Sequence, residues 1–334
     1  MTRIATFSTR RRSLLAGASF GTAMLMLPAA AHAQAAAWPT KPIRIVVNFP
    51  PGSSPDVLAR AISQPLQQAL GQPVVIENRA GASGIIGAEA VAKAPADGYT
   101  FLMTAGSVIT TNPFVYSKIP YDTEKDLIPV AAIARIALFL EVRPDLPVKN
   151  MQEFLAYLKA HPGKLSYASA GNATGLHIAG EMLKSQAGVY ALHVPYKGSA
   201  PAMQDLLAGQ VDFFFDPGIG LNQVRSGKLR LLAVATKTRS SAFPAIPTLD
   251  EAGLKGFDAG QTHALYAPAG TPAAIVDRLN REINHVLETP AVKAQIDTLA
   301  AEPTPMSPQQ LAQVMAEDSK RYGQIIKERG IKVD

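Results

Sequence analysis

The chain has 334 residues, 47% of them hydrophobic and 17% charged, and no cysteine. That composition excludes a disordered chain, a disulfide scaffold, a thiolate metal site and a cysteine nucleophile. The net charge of +6 rests on four arginines near the start; without them 28 bases face 26 acids, and the electrostatic case for nucleic-acid binding disappears.

Arg3, Arg10, Arg11 and Arg12 form a basic head with no acid in the first 33 residues. An apolar, alanine-rich run from Leu14 to Ala31 follows, then the small-x-small pattern Ala31-His32-Ala33. Together they predict an export signal over residues 1–33 and a product beginning at Gln34. Arg11-Arg12-Ser13-Leu14-Leu15 fits a twin-arginine leader, although Arg10 stands where Ser or Thr is usual, so the general export route stays open. No later apolar run reaches the length of a membrane span.

Apolar runs then alternate with helical patterns, which predicts an α/β fold. Ile43 to Phe49 reads as a strand and Pro55 to Leu70 as a helix with Ser54 as N-cap and a kink or break at Pro65. Pro73 to Glu77 is the next strand, Gly84 to Ala94 a helix capped by Ser83, and Tyr99 to Thr104 a third strand. Leu127 to Val142 is long enough for one or two strands. Asn150 caps a helix from Met151 to Ala160, with Glu153 completing a capping box. Strands are expected at Leu165 to Ser169, Tyr190 to Val194, Val211 to Phe215 and Leu229 to Thr236, with helices after Thr174 and around Pro201 to Ala208. Thr271-Pro272, Thr289-Pro290 and Ser307-Pro308 each place an N-cap before a first-turn proline, marking three C-terminal helices. The pattern suits two α/β lobes, with crossings near Ile136 to Val142 and Asp258 to His263 and the last helices bracing the first lobe.

No catalytic set emerges. Beyond the expected leader the chain lacks G-x-S-x-G, G-x-G-x-x-G and a phosphate-binding G-x-x-x-x-G-K-[ST]. Its six histidines, His32, His161, His177, His193, His263 and His285, show no metal-ligand spacing, so neither metal nor cofactor is expected. What remains is small polar residues at helix starts. Pro50-Pro51-Gly52-Ser53-Ser54-Pro55-Asp56 joins the first strand to the first helix, and Ser169-Ala170-Gly171-Asn172-Ala173-Thr174 does the same in the second half. Unpaired N–H groups and the helix dipole make such a loop a receptor for carboxylate or phosphate oxygens without an arginine. A non-enzymatic solute receptor is therefore expected. A hydrolase using Ser53 or Ser169 is the contrasting reading, and it lacks a recognisable His and Asp pair.

The motifs sharpen this. WPTKPIRIVV from Trp38, LGQPVVIENRAGASGIIGAEAVAKAPADGYTF from Leu70, HVPYKGSAPAMQDLLAGQVD from His193, SGKLRLLAVA from Ser226 and YAPAGTPAAIVDRLN from Tyr266 occur in order. In these segments the chain resembles the Bug family, the extracytoplasmic solute receptors of tripartite tricarboxylate transporters. The resemblance implies a two-lobed type II periplasmic-binding-protein fold with a ligand cleft between lobes. It implies a periplasmic monomer that binds a small mono- or dicarboxylate, aromatic acids included, and works with membrane transporter subunits or, alternatively, presents ligand to a signalling partner. The lobes are expected at 34–139 with 263–334, and at 140–262. Carried over by position, the ligand-binding residues are Phe49, Pro51, Gly52, Ser53, Ser54 and Asp56 in the first loop. Ser169, Ala170, Gly171, Asn172, Thr174 and His177 belong to the second. Ser107 and Asn112 form a third wall and Asp216 a fourth. Ser53 and Ala173 stand where the family usually has glycine, and Thr262-His263 where it often has an aromatic pair.

Overall fold

A computed structural model describes residues 38–332. The expected leader, 1–33, lies outside the described residues. The chain opens with β1 (Ile43–Val47), α1 (Ser54–Leu70), β2 (Val74–Asn78), α2 (Ile85–Ala92) and β3 (Thr100–Thr104), then two short helices, α3 (Ser107–Thr110) and α4 (Asn112–Val115). The long apolar run divides into β4 (Leu127–Ile136) and β5 (Phe139–Val142). Next come α5 (Met151–Ala160), β6 (Ser166–Ser169), α6 (Gly175–Ala187), β7 (Leu192–Pro195), α7 (Ser199–Leu207), β8 (Phe213–Asp216), α8 (Leu221–Arg225) and β9 (Arg230–Val234). The chain continues through β10 (Gln261–Pro268), α9 (Ala273–Leu287), α10 (Pro290–Asp297), β11 (Glu302–Pro303) and α11 (Pro308–Arg329).

Two sheets result, in the orders β11-β4-β10-β3-β1-β2 and β7-β6-β8-β5-β9. In the first, β1 pairs parallel with β2 and β3, while β10 runs antiparallel between β3 and β4. In the second, β6 pairs parallel with β7 and β8, while β5 runs antiparallel between β8 and β9. The chain passes from the first sheet to the second between Ile136 and Phe139, and the strand that returns to the first begins at Gln261.

Alternation along β1 assigns its side chains to opposite faces. Ile43, Ile45 and Val47 join Leu58, Ile62 and Leu66 of α1 and Leu279 and Ile283 of α9 in one cluster. Val46 joins Ile85, Val91, Leu311 and Met315 in another. Covered on both faces, β1 and β3 are buried along their length except at Arg44, and their central residues are apolar. The second sheet is centred on Phe213, whose ring meets Phe154 edge-on at 5.2 Å and stacks on Tyr167 at 5.4 Å. The last helix serves both halves: its Leu311 and Met315 lie in a first-sheet cluster, its Tyr322 and Ile326 in the second-sheet cluster.

Several local expectations need correction. α1 starts at Ser54 with Ser53 in the N-cap position, and Pro65 does not break it. Pro65 forfeits one backbone bond, but Leu58, Ile62 and Leu66 keep their burial, and that outweighs the loss. α1 ends on Gly71, whose φ of 68° is the left-handed cap that glycine supplies. Ser83 is no helix cap, because Gly81, Ala82, Ser83 and Gly84 all have positive φ and α2 begins only at Ile85. Around α5, Asn150 accepts from the Glu153 N–H, but the Glu153 carboxylate returns to the Lys149 N–H rather than to that of Asn150. The three Thr-Pro or Ser-Pro signals mark real helix starts, yet only Ser307 closes a capping box. Thr271 and Thr289 turn their hydroxyls back to Pro268 and Val286 carbonyls.

Candidate functional site

Both sheets send their strand-to-helix loops toward one cleft. Its inner pocket, about 20 Å³, is bounded by Ser54 at the start of α1, Ser107 of α3, Thr174 and Leu176 at the start of α6, and Ser199 at the start of α7. The outer cleft, about 660 Å³, runs between Ser83 and Tyr116 on one side and Asn172 and Tyr196 on the other. Phe49 and Ala170 wall both spaces. The two sides touch directly: Thr111 Oγ1 donates to the Ala173 carbonyl at 2.8 Å, and Tyr116 Oη to the Asn172 carbonyl at 3.4 Å. Lys197 is the one charged side chain lining either cavity among the described residues. Negative charge placed in the inner pocket must then be met by hydroxyls, amides and the free N–H groups of helix first turns.

The first loop is held from beneath. Asp56 is 2% exposed and accepts from the Gly52 N–H at 2.9 Å, Arg60 Nε at 3.0 Å and Asn78 Nδ2 at 2.9 Å. Burial pushes its carboxyl up, but these bonds, Arg60's first, hold it below the usual range. Asp56 lines neither cavity. Pro51 and Gly52 sit exposed on the outside of the turn. Ser53 and Ser54 line the inner pocket, but Ser53 Oγ donates to the Pro50 carbonyl at 2.7 Å, so its proton is committed within the loop. Ser54 Oγ pairs with His263 Nε2 at 2.9 Å.

In the second loop, Ala170 and Thr174 reach the inner pocket and Gly171 and Asn172 the outer cleft. Thr174 Oγ1 closes the loop on the Gly171 carbonyl at 2.7 Å. Ser169 and His177 lie behind it: Ser169 bonds His193 Nε2 at 2.6 Å, and His177 Nδ1 accepts the Ala173 N–H at 3.1 Å. The two imidazoles stack at 4.0 Å. Asn112 reaches the Ser83 carbonyl at 3.4 Å rather than the pocket. Asp216 accepts from the N–H groups of Gly218, Ile219 and Gly220, which fixes Pro217 on the inner wall.

Residues missed by sequence reasoning as site members include Gln261 and Ser199 in the inner pocket and Ser83, Tyr116, Tyr196 and Lys197 in the outer cleft, while His263, noted only as a departure from the family, lines the inner pocket. Gly198-Ser199 carries the same small-residue helix start that marked the other two loops. Gln261 carries no local signal.

Ser169 and His193 form a hydroxyl–imidazole pair that their separation of 24 positions hid. Among the described residues no carboxylate bonds His193, and Ser169 is 0% exposed and lines neither cavity. The pair therefore ties β6 to β7 rather than presenting a nucleophile. No group of three His, Asp or Glu among the described residues could hold a metal, and no described helix is long and apolar enough to cross a membrane.

Buried titratable groups give the protein a distinctive pH profile. Burial lowers His177 to about 4, and His193 and His263 to about 3. Burial also raises Asp216 to about 7, and burial and the adjacent Asp216 charge raise Glu141 well above the carboxylate range. The three histidines gain protons on unfolding below pH 6.5, so their contribution is present above that value and is lost on acidification. The two carboxyls release protons on unfolding above about pH 4, so theirs is lost as pH rises toward their folded values. Three against two leaves a net rise in stability between about pH 4.5 and 6.5, and a fall above it. Calorimetric melting from pH 4.5 to 9 should show a maximum Tm near pH 6.5; a Tm climbing steadily to pH 9 contradicts this assignment.

Two α/β lobes closing on a pocket walled by helix starts define a two-lobed solute-binding protein. The chain belongs to the tripartite tricarboxylate transporter family receptors, whose sequence signature matches residues 58–331. It is 38% identical to protein BugT of Bordetella pertussis over 307 residues, 91% of this chain and 94% of that one. Among solved structures it is similar to Rpa4515 of R. palustris with adipate, at 36% identity and TM-score 0.86, covering 89% of this chain and all of that one. It is also similar to MatC from Rhodopseudomonas palustris with bound malate, at 33% identity and TM-score 0.82, covering 86% of this chain and all of that one. The Bug-type, two-lobed α/β reading of the sequence therefore holds.

Proposed function

We propose that this chain is an exported receptor that captures a small carboxylate in the cleft and delivers it to the membrane subunits of a tripartite tricarboxylate-type transporter. The observation that carries this is the meeting of the α1 and α6 starts, one from each half, at a pocket without a charged side chain. Such a pocket offers N–H donors to an anion, each charge-assisted bond contributing roughly 1.5–3 kcal/mol. Adipate and malate, seen on two relatives, are both dicarboxylates and support the same chemistry here. Phe49, Ser53, Ser54, Ser107, Ala170, Gly171, Asn172 and Thr174 as ligand contacts, with the other seven residues named from the sequence supporting the walls, the lobe limits at 139/140 and 262/263, removal of a leader after Ala33, a periplasmic location and a monomeric, non-hydrolytic protein belong to this proposal.

Thermal-shift screening of the purified protein against mono- and dicarboxylates, neutral sugars and cations tests it. A carboxylate at a hundredfold excess over its Kd should add about 2.7 kcal/mol of stability. A shift only with a neutral sugar or a cation would sink the carboxylate reading.

A further inference from the structure

We infer that Gln261 is the side chain that grips the innermost oxygen of the bound carboxylate, and that Gly175 is there to let it do so. This rests on the proposed carboxylate-binding function.

Gln261 opens β10, where the chain returns to the first sheet, and it is 3% exposed. Gln261 lines the inner pocket, and its Nε2 is buried with no hydrogen-bond partner. A buried N–H without an acceptor is costly, and native proteins rarely leave one so. The amide lies directly on the backbone of Gly175, the first residue of α6: a Cβ there would stand 1.5 Å from Nε2. That contact places the donor against the helix start, where the first-turn N–H groups also await acceptors. Some neighbouring side chains are already engaged. Thr174 Oγ1 is spent on the Gly171 carbonyl, and Ser54 Oγ and His263 Nε2 satisfy each other. An oxygen entering the pocket completes Gln261 and the α6 start at once. The space, about 20 Å³, admits a group the size of a water or one carboxylate head. The ligand must therefore present a bare carboxylate on a slender chain at this end, and any ring or branch stays in the outer cleft.

Titration calorimetry with adipate, malate and succinate on wild type, Gln261→Met, Gln261→Glu and Gly175→Ala tests the assignment. Gln261→Met keeps the length and loses the donor, so the Kd of the tightest probe should rise ten- to hundredfold at every pH. Gln261→Glu can donate only when protonated. Its Kd should climb by up to tenfold per pH unit between pH 6 and 8.5, whereas wild type stays flat. Gly175→Ala should weaken binding like Gln261→Met, and adding it to Gln261→Met should cost nothing more, because both remove one contact. Melting curves of the ligand-free variants confirm that each is folded. If wild type binds none of these probes nor any other carboxylate of the thermal-shift screen, the carboxylate function itself fails. If wild type binds but Gln261→Met stays within threefold of it and Gln261→Glu shows no pH slope, Gln261 does not touch the ligand. Should Gln261→Met fail to fold, the pH slope of Gln261→Glu and the loss in Gly175→Ala decide alone.

Discussion

Replacing Gly171 by valine should raise the Kd for the carboxylate by more than a hundredfold and hold the two halves of the cleft apart. Gly171 has φ +129°, a conformation that a β-branched residue essentially never adopts. A Cβ there would stand 2.9 Å from Ser83 Oγ across the cleft and 3.5 Å from the Tyr196 carbonyl oxygen. The Tyr196 distance is an ordinary contact and the Ser83 hydroxyl must give way, but the backbone conformation itself is strained for valine whatever the space. The second-lobe loop must then shift, and with it the Gly171 N–H bond to Ser169 Oγ and the Thr174 bond to the Gly171 carbonyl. Strain of this kind costs on the order of 1–3 kcal/mol before any lost ligand contact is counted. Calorimetry should show the affinity loss, and small-angle scattering of variant plus ligand should give a larger radius of gyration than wild type plus ligand. Wild-type affinity in this variant would mean that the second-lobe loop is not part of the receptor.

Substituting Asp56 should be felt first in stability and then in binding. Alanine at this position strips acceptors from the Gly52 N–H, Arg60 and Asn78 together, beneath the first loop. Arg60 can recover water because its side chain is 54% exposed; the loop N–H and the half-buried Asn78 amide recover less. The expected loss is roughly 2–4 kcal/mol in urea unfolding, together with at least tenfold weaker carboxylate binding as residues 50–54 loosen. Asp56→Asn discriminates between roles. A carboxylate facing an anionic ligand repels it, so its neutralisation tightens binding; a carboxylate that organises the loop gives weaker binding when neutralised. The geometry calls for the second outcome, and tighter binding by Asp56→Asn would refute it.

Periodicity and capping chemistry made much of the fold legible. The strands around Ile45, Phe101 and Phe214 and the three proline-marked helix starts rest on local signals, and they stand within a few residues of their expected bounds. Local signals misled where the backbone does something rare: nothing in Ala82-Ser83 announces two successive left-handed residues, which glycine on either side makes possible. Pro65 misled in the other direction, because burial of the opposite helix face is a tertiary effect. In the site, small polar residues at helix starts were visible. Their division of labour was not, since whether Ser53 faces a ligand or its own loop depends on where the Pro50 carbonyl lies. Gln261 was beyond reach because it enters the pocket from a strand whose partners are distant in sequence, whereas His263 stood out only through its departure from the family pattern.

That strand also governs how the chain must assemble. β10 lies in the middle of the first sheet, between β3 and β4, yet it comes from the last quarter of the sequence. During synthesis β3 and β4 emerge long before the element that joins them, and each keeps a bare hydrogen-bonding edge until residues 261–268 arrive. Such edges invite pairing with other chains, and closing so long a loop is slow. The first lobe is therefore completed only after the whole second lobe has been made, and a chain cut short before Gln261 lacks the strand that holds β3 to β4.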